Sequence, residues 1–197
     1  MLNSNMDDPL TLFDEWYAEA HRREADLPSA MTLATADAKG RVSARMVLLK
    51  QHDSDGFVFY TNLGSRKGLD LAANPYAALL FHWKSLKRQV RIEGTAALVG
   101  DDEADAYFAT RDRGSMIGAW ASKQSRPMAH RHALELAVAK FTAKFALGAI
   151  ARPDDWSGYR LKPDSIEFWR DGRFRLHERL VFTRQQDGGW TTQRLFP

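Results

Sequence analysis

The chain has 197 residues, enough for one domain with a sizeable core, and its 44% hydrophobic and 27% charged residues are those of an ordinary soluble globular protein. The formal net charge is only +3, with the basic residues spread along the chain, so charge makes no case for nucleic acid; no apolar run reaches the roughly 18–20 residues of a membrane-spanning helix. The absence of cysteine excludes disulfides, thiolate catalysis and Cys-ligated zinc or iron–sulfur sites.

Residues 1–8 read as a short polar, acidic N-terminal arm with no basic-then-apolar export signal, which favours a cytoplasmic protein. Asp8-Pro9 starts a helix, with Asp as cap and Pro at the first position; Leu10, Phe13, Trp16, Tyr17 and Ala20 then recur at helical spacing. Stretches 31–36, 42–50 and 57–61 are rich in Val, Leu, Phe and Thr, and Asp/Gly turns separate them, so antiparallel strands are expected. A short helix over 65–74 ends at Asn74-Pro75. Strands over 77–83 and 89–99 follow, the second alternating Val90 and Ile92 with Arg91 and Glu93. Asp101 and Asp102 cap a helix reaching about residue 111. A looser segment spans 114–125, then a long helix 131–147 and a loop 152–158. Strands over 159–161, 166–169, 173–183 and 190–195 close the chain. The reading is a single domain, 1–197, mainly β with helices (α+β), built on a barrel or strongly bent sheet.

Cations recur beside these strands, and isolated buried cations are costly, so an anion is expected against them. Tyr107, Arg111 and Ser115 are spaced i, i+4, i+8; on a continuous helix they share a face and suit a phosphate, although Gly114 interrupts it and an ordinary polar face reads the same way. Tyr60-Thr61 and then Ser65-Arg66-Lys67-Gly68 form a strand end and a helix start, which attracts anions or is simply a capped surface helix. Arg45 and Lys50 are five apart on a strand and point to opposite faces, to two anions or one to solvent. Arg175 and His177 share a strand face that Arg179 extends. Glu167 and Glu178 are available to compensate them, and Trp169 could supply an aromatic wall. Gln89, Gln124 and Ser125 suit a heteroaromatic ring edge as well as ordinary hydrogen bonding. No histidine spacing suits a metal.

Arg45-Met46-Val47-Leu48-Leu49-Lys50, Phe57-Val58-Phe59-Tyr60-Thr61-Asn62, Ser65-Arg66-Lys67-Gly68, Arg88-Gln89-Val90-Arg91-Ile92-Glu93-Gly94, Ile117-Gly118-Ala119-Trp120-Ala121-Ser122, Gln124-Ser125, Trp156-Ser157-Gly158-Tyr159, Glu167-Phe168-Trp169 and Arg175-Leu176-His177 resemble, in order and over nearly the whole chain, the pyridoxine/pyridoxamine 5′-phosphate oxidase family. The resemblance implies an FMN-binding split β-barrel acting as a homodimer, with FMN at the subunit interface. FMN contacts carried over by motif are Arg45, Met46, Val47, Leu48, Leu49, Lys50, Tyr60, Thr61, Arg66, Lys67, Gln89, Gln124, Ser125, Trp169 and Arg179. Lys50, Tyr107, Arg111 and Ser115 would clamp the substrate phosphate, and Arg175 and His177 would lie over the substrate ring as catalytic residues. The implied reaction converts pyridoxamine or pyridoxine 5′-phosphate to pyridoxal 5′-phosphate, with O2 as acceptor giving H2O2, and ammonia from the amine. Neither nucleic acid nor membrane is an expected partner. The chain departs from the family at Glu178, where Asp is usual, at Asp112, often Pro, and at Ile150-Ala151. A split-barrel oxidase of another substrate, as in phenazine pathways, and a non-catalytic flavin or pyridoxal-phosphate binding protein are the competing readings.

Overall fold

In a computed structural model describing residues 8–197, Asp8 caps the first helix, α1 (Pro9–Arg23), its carboxylate accepting from the Leu10 and Thr11 amides at 3.1 Å. The expected arm over 1–8, Asp8 excepted, lies outside the described residues. Pro9 occupies the first turn, where its missing N–H costs nothing, and Leu12, Phe13, Trp16 and Ala20 form the buried face. The Phe13 ring meets Phe57 and Phe81 edge-on at 4.9 and 5.3 Å, which docks the helix on the sheet.

Nine antiparallel strands make that sheet: β1 (Ala30–Ala36), β2 (Val42–Leu48), β3 (Gln51–Asp53), β4 (Gly56–Asn62), β5 (Tyr76–Trp83), β6 (Arg88–Leu98), β7 (Trp156–Arg170), β8 (Glu178–Arg184) and β9 (Trp190–Leu195). Their order is β2-β1-β5-β6-β7-β4-β3, with β8 on β7 and β9 on β8. The sheet forks at β7. One edge of this long strand carries β6 along its length, while the other pairs β4 with its first half and β8 with its second. Pro163 lies near the fork, where the β6–β7 register shifts at Glu93/Gly94. A Cβ at Gly94 would sit 2.0 Å from the Lys162 carbonyl oxygen, so only glycine lets the strands approach there. Along β6, Val90 and Ile92 are fully buried and Arg91 and Glu93 exposed, as the alternation requires.

The remaining helices are α2 (Arg66–Ala73), α3 (Asp101–Ala109), α4 (Arg113–Ala121) and α5 (Ala133–Lys144). The architecture is mainly β with helices, as expected; four local readings change. The segment 114–125 is largely helical, because Asp112 accepts from the Ser115 amide at 2.8 Å and caps α4. The strands expected over 159–161 and 166–169 are one continuous strand, β7. The strand 42–50 stops at Leu48, and Lys50 follows it. The strand 173–183 begins only at Glu178; Arg173–Arg175 is a 3₁₀ turn with Phe174 and Arg175 at φ of 57° and 62°. Arg175, His177 and Arg179 therefore do not share a strand face.

Candidate functional site

The main cleft has a volume of about 740 Å³ and lies where the end of β2, the end of β4, the start of α2 and the α3–α4 connection meet. Met46, Val47, Leu48, Lys50, Tyr60, Thr61, Lys67, Tyr107, Arg111, Ser115 and Gln124 all line it, so most of the sequence-predicted residues do come together.

Lys67 is the electrostatic centre. It lies on the first turn of α2, which Ser65 caps, and it is only 8% exposed. Its Nζ donates to Thr61 Oγ1 and Gln124 Oε1, both at 2.9 Å, and to Ser65 Oγ at 3.2 Å. All three are neutral oxygens, and among the described residues no carboxylate pairs with it. Burial, with the Arg45 charge second, pushes its pKa down to about 8. A buried ammonium at a helix N-terminus without a counter-ion suits an anion. Arg45 stands behind it, donating to Thr35 Oγ1 at 2.7 Å and to Ser43 Oγ, with the buried Asp70 carboxylate 3.7 Å away. Arg66 and Ser125 line a smaller neighbouring hollow with Asp70. Leu49 is a core residue, 4% exposed.

Tyr107, Arg111 and Ser115 line one cleft without sharing a helix, in keeping with the break that Gly114 suggested. Helix α3 ends at Ala109, Arg111 lies in the connection, and Ser115 belongs to the first turn of α4. The connection folds back so that Arg111 Nη2 donates to the Ser115 carbonyl oxygen at 3.1 Å. The Tyr107 ring stacks on Tyr60 at 3.9 Å, and Tyr60 stacks on Trp156 at 5.2 Å. Gly158 makes room for this stack, since a Cβ there would lie 2.7 Å from the Tyr60 ring. The Tyr60 hydroxyl is buried without a partner, and burial pushes its pKa up to about 12. Trp156 is a cleft residue that the residue-level reading passed over; the signal was the glycine two positions on, opposite Tyr60 in the β4–β7 pairing.

A second group is separate. Gln89, Trp169 and Arg179 line a hollow of about 270 Å³ with Arg91, Glu167 and Pro197, sharing no residue with the main cleft. Glu167 is buried and receives Arg179 Nε at 2.7 Å and Arg91 Nη2 at 2.5 Å, so it compensates Arg179 as the sequence allowed. The Trp169 and His177 rings lie 4.7 Å apart, and His177 Nδ1 is 3.1 Å from Asp171. Arg175 follows Phe174 in the left-handed turn, a backbone state that costs energy for non-glycine residues and concentrates at functional sites. Among the described residues, no His, Asp and Glu cluster suits a metal, and no helix is long and apolar enough to cross a membrane.

Comparison with known proteins identifies relatives. Residues 17–145 match the family model described as pyridoxamine 5′-phosphate oxidase, and residues 156–197 match the pyridoxine 5′-phosphate oxidase C-terminal dimerisation region. The pyridoxine/pyridoxamine 5′-phosphate oxidase of Caulobacter vibrioides is 62% identical over 97% of this chain and 86% of its own length. The protein of that name from Rhodospirillum rubrum is 58% identical over 96% of both chains. Among solved structures, PhzG from Burkholderia lata 383, in complex with tetrahydrophenazine-1-carboxylic acid, superposes with a TM-score of 0.92 at 34% identity, covering 98% of this chain and 95% of its own. A pyridoxamine 5′-phosphate oxidase-related, FMN binding protein from Nostoc punctiforme shares the fold, with a TM-score of 0.77 at 15% identity.

Proposed function

This chain belongs to the pyridoxamine 5′-phosphate oxidase family, and from that premise we infer how its residues divide the work. It is an oxidoreductase of vitamin B6 metabolism on the split β-barrel fold, oxidising pyridoxine 5′-phosphate and pyridoxamine 5′-phosphate to pyridoxal 5′-phosphate. We propose FMN as its flavin. The residues fit the group: Lys67, buried among neutral oxygens with Arg45 behind it, is suited to one phosphate monoester, and no glycine-rich dinucleotide turn is present. When bound, FMN supplies the two-electron chemistry that oxidises the substrate at C4′ and reduces O2 to H2O2.

The protein's part is to bind, orient and exclude. Lys67, Arg45, Arg66, Thr61, Gln124 and Ser125 hold the flavin phosphate side. Met46, Val47, Leu48 and Tyr60 belong to the strands that carry its surroundings, and the buried Leu49 follows directly on β2. Lys50, Tyr107, Arg111 and Ser115 hold the substrate's 5′-phosphate, fixing the distance from phosphate to reacting carbon. Arg175 and His177 hold the substrate ring, with Trp169 as a wall against the His177 imidazole. Gln89 and Arg179 complete the flavin contacts. The single observation that carries this reading is the counter-ion-free Lys67 in a cleft shared with Arg111, two anion sites in one cavity.

We propose a homodimer on the same ground. The two groups of residues line separate hollows of one chain, so a second copy is what unites them. Met46, Leu176 and Phe196, from the segments that bear these groups, are 62%, 68% and 94% exposed, apolar surface that a partner would cover.

Steady-state oxidation by the FMN-loaded protein tests the assignment. Pyridoxal 5′-phosphate and H2O2 are the expected products. Arg111→Ala should mainly raise KM, and Arg175→Ala should also lower kcat by loosening the ring pose. If both variants match the parent at all substrate concentrations, the substrate residues are misassigned, and a phenazine-type substrate becomes the better reading.

A further inference from the structure

Arg111 forms no ion pair among the described residues; the neighbouring Asp112 carboxylate feels its charge but is spent on the Ser115 amide as the cap of α4. Two other half-buried arginines are neutralised: Arg152 binds Asp101 and Asp105 at 2.7 and 2.6 Å, and Arg160 binds Asp53 and Glu103 at 2.6 and 3.0 Å. The Arg111 Nε, by contrast, is buried without a partner. Besides the Nη2 bond to the Ser115 carbonyl, what holds it is an aromatic face. Its guanidinium carbon lies 4.8 Å from the centre of the Trp156 ring and 5.8 Å from that of Phe108.

The Trp156 ring is itself fixed. It is 4% exposed, stacked on Tyr60 at an interplanar angle of 9°, and met edge-on by Phe108 at 5.0 Å. Its backbone is tied at both ends, with its N–H donating to the Pro153 carbonyl at 3.0 Å and its carbonyl accepting from Arg152 Nη1 at 2.8 Å. A carboxylate in its place would orient Arg111 equally well but would compete with an incoming anion for the charge. An indole orients it and leaves the charge available.

We propose that Trp156 is a positioning residue for the substrate phosphate, acting through Arg111 and without itself neutralising it. The proposal rests on the reading of Arg111 as a phosphate contact. The test uses FMN-loaded Trp156→Leu, Trp156→Phe and Arg111→Ala, and each Trp156 change combined with Arg111→Ala. Dissociation constants for pyridoxal 5′-phosphate are measured by titration, beside KM, kcat and flavin content. Trp156→Leu is expected to weaken pyridoxal 5′-phosphate binding and raise KM by about 3- to 30-fold, with kcat and flavin content little changed. Trp156→Phe, which keeps a ring and guards against a folding defect, should do so more mildly. In the Arg111→Ala background neither change should add a further effect. Equal effects with and without Arg111, or unchanged binding in Trp156→Leu, overturn the positioning role. Unchanged binding in Arg111→Ala alone overturns the underlying phosphate reading, and the proposal with it.

Discussion

Lys67 shows how one side chain couples binding to pH. Its folded pKa of about 8 lies below the ordinary 10.5, because burial disfavours the charged form. Between these values the unfolded chain holds a proton that the folded chain has released, so this group's contribution to stability rises with pH across that window. Binding a phosphate reverses the preference and recovers the proton. FMN affinity of the apoprotein is therefore expected to fall as pH rises above about 8, with Lys67→Arg flattening the decline because a guanidinium stays charged. Fluorescence titration with FMN across that range checks it; a flat profile in the parent would mean that Lys67 does not meet the phosphate. Lys67→Ala and Arg45→Ala should each lose a charge-assisted contact, a weakening of roughly 10- to 150-fold.

At the scale of elements, helix α2 presents that lysine on its first turn. Ser65 is fully buried, and its hydroxyl donates to the Asn62 carbonyl at 2.6 Å while accepting from the Gly68 amide and from Lys67. Ser65→Ala should cost about 0.5–2 kcal/mol of stability through the lost cap and weaken FMN binding as well; denaturant unfolding and flavin titration on the same variant separate the two effects. This cap was legible in the sequence, as was the presence of most strands though not all their bounds, because a Ser-led helix start and alternating burial are local signals. The turn holding Arg175 was not. Arg173 to Thr183 reads as strand by residue type, and nothing local announces two consecutive left-handed residues. They are imposed by the close return of the chain, in which a Cβ at Gly172 would meet the Leu176 carbonyl oxygen at 1.9 Å. The convergence of Tyr107, Arg111 and Ser115 on one cleft was not settled by their spacing, since a shared helix face held only on a continuous helix. Gly114 carried the warning, but the fold-back at Asp112 depends on a cap that pattern alone does not specify.

For the whole molecule, we propose that the described residues, 8–197, form one domain, since the strands of the two matched regions interleave in one sheet. If the two residue groups meet only across a pair of chains, flavin favours the pair by mass action. Light scattering is expected to show a dimer whose dissociation on dilution is suppressed by FMN; a flavin-loaded monomer would contradict it. The fork at β7 has a further consequence, in time rather than space. Strand β4, which carries Tyr60 and Thr61, pairs with Ser157 and Gly158, so it waits unpartnered on that edge while α2, β5, β6 and three more helices emerge during synthesis. Such sequence-distant pairing makes for slow closure. The cleft is thus among the last parts of the chain to become competent, and a nascent chain stalled before Trp156 would carry Lys67 and Arg111 yet lack the ring against which Arg111 and Tyr60 pack.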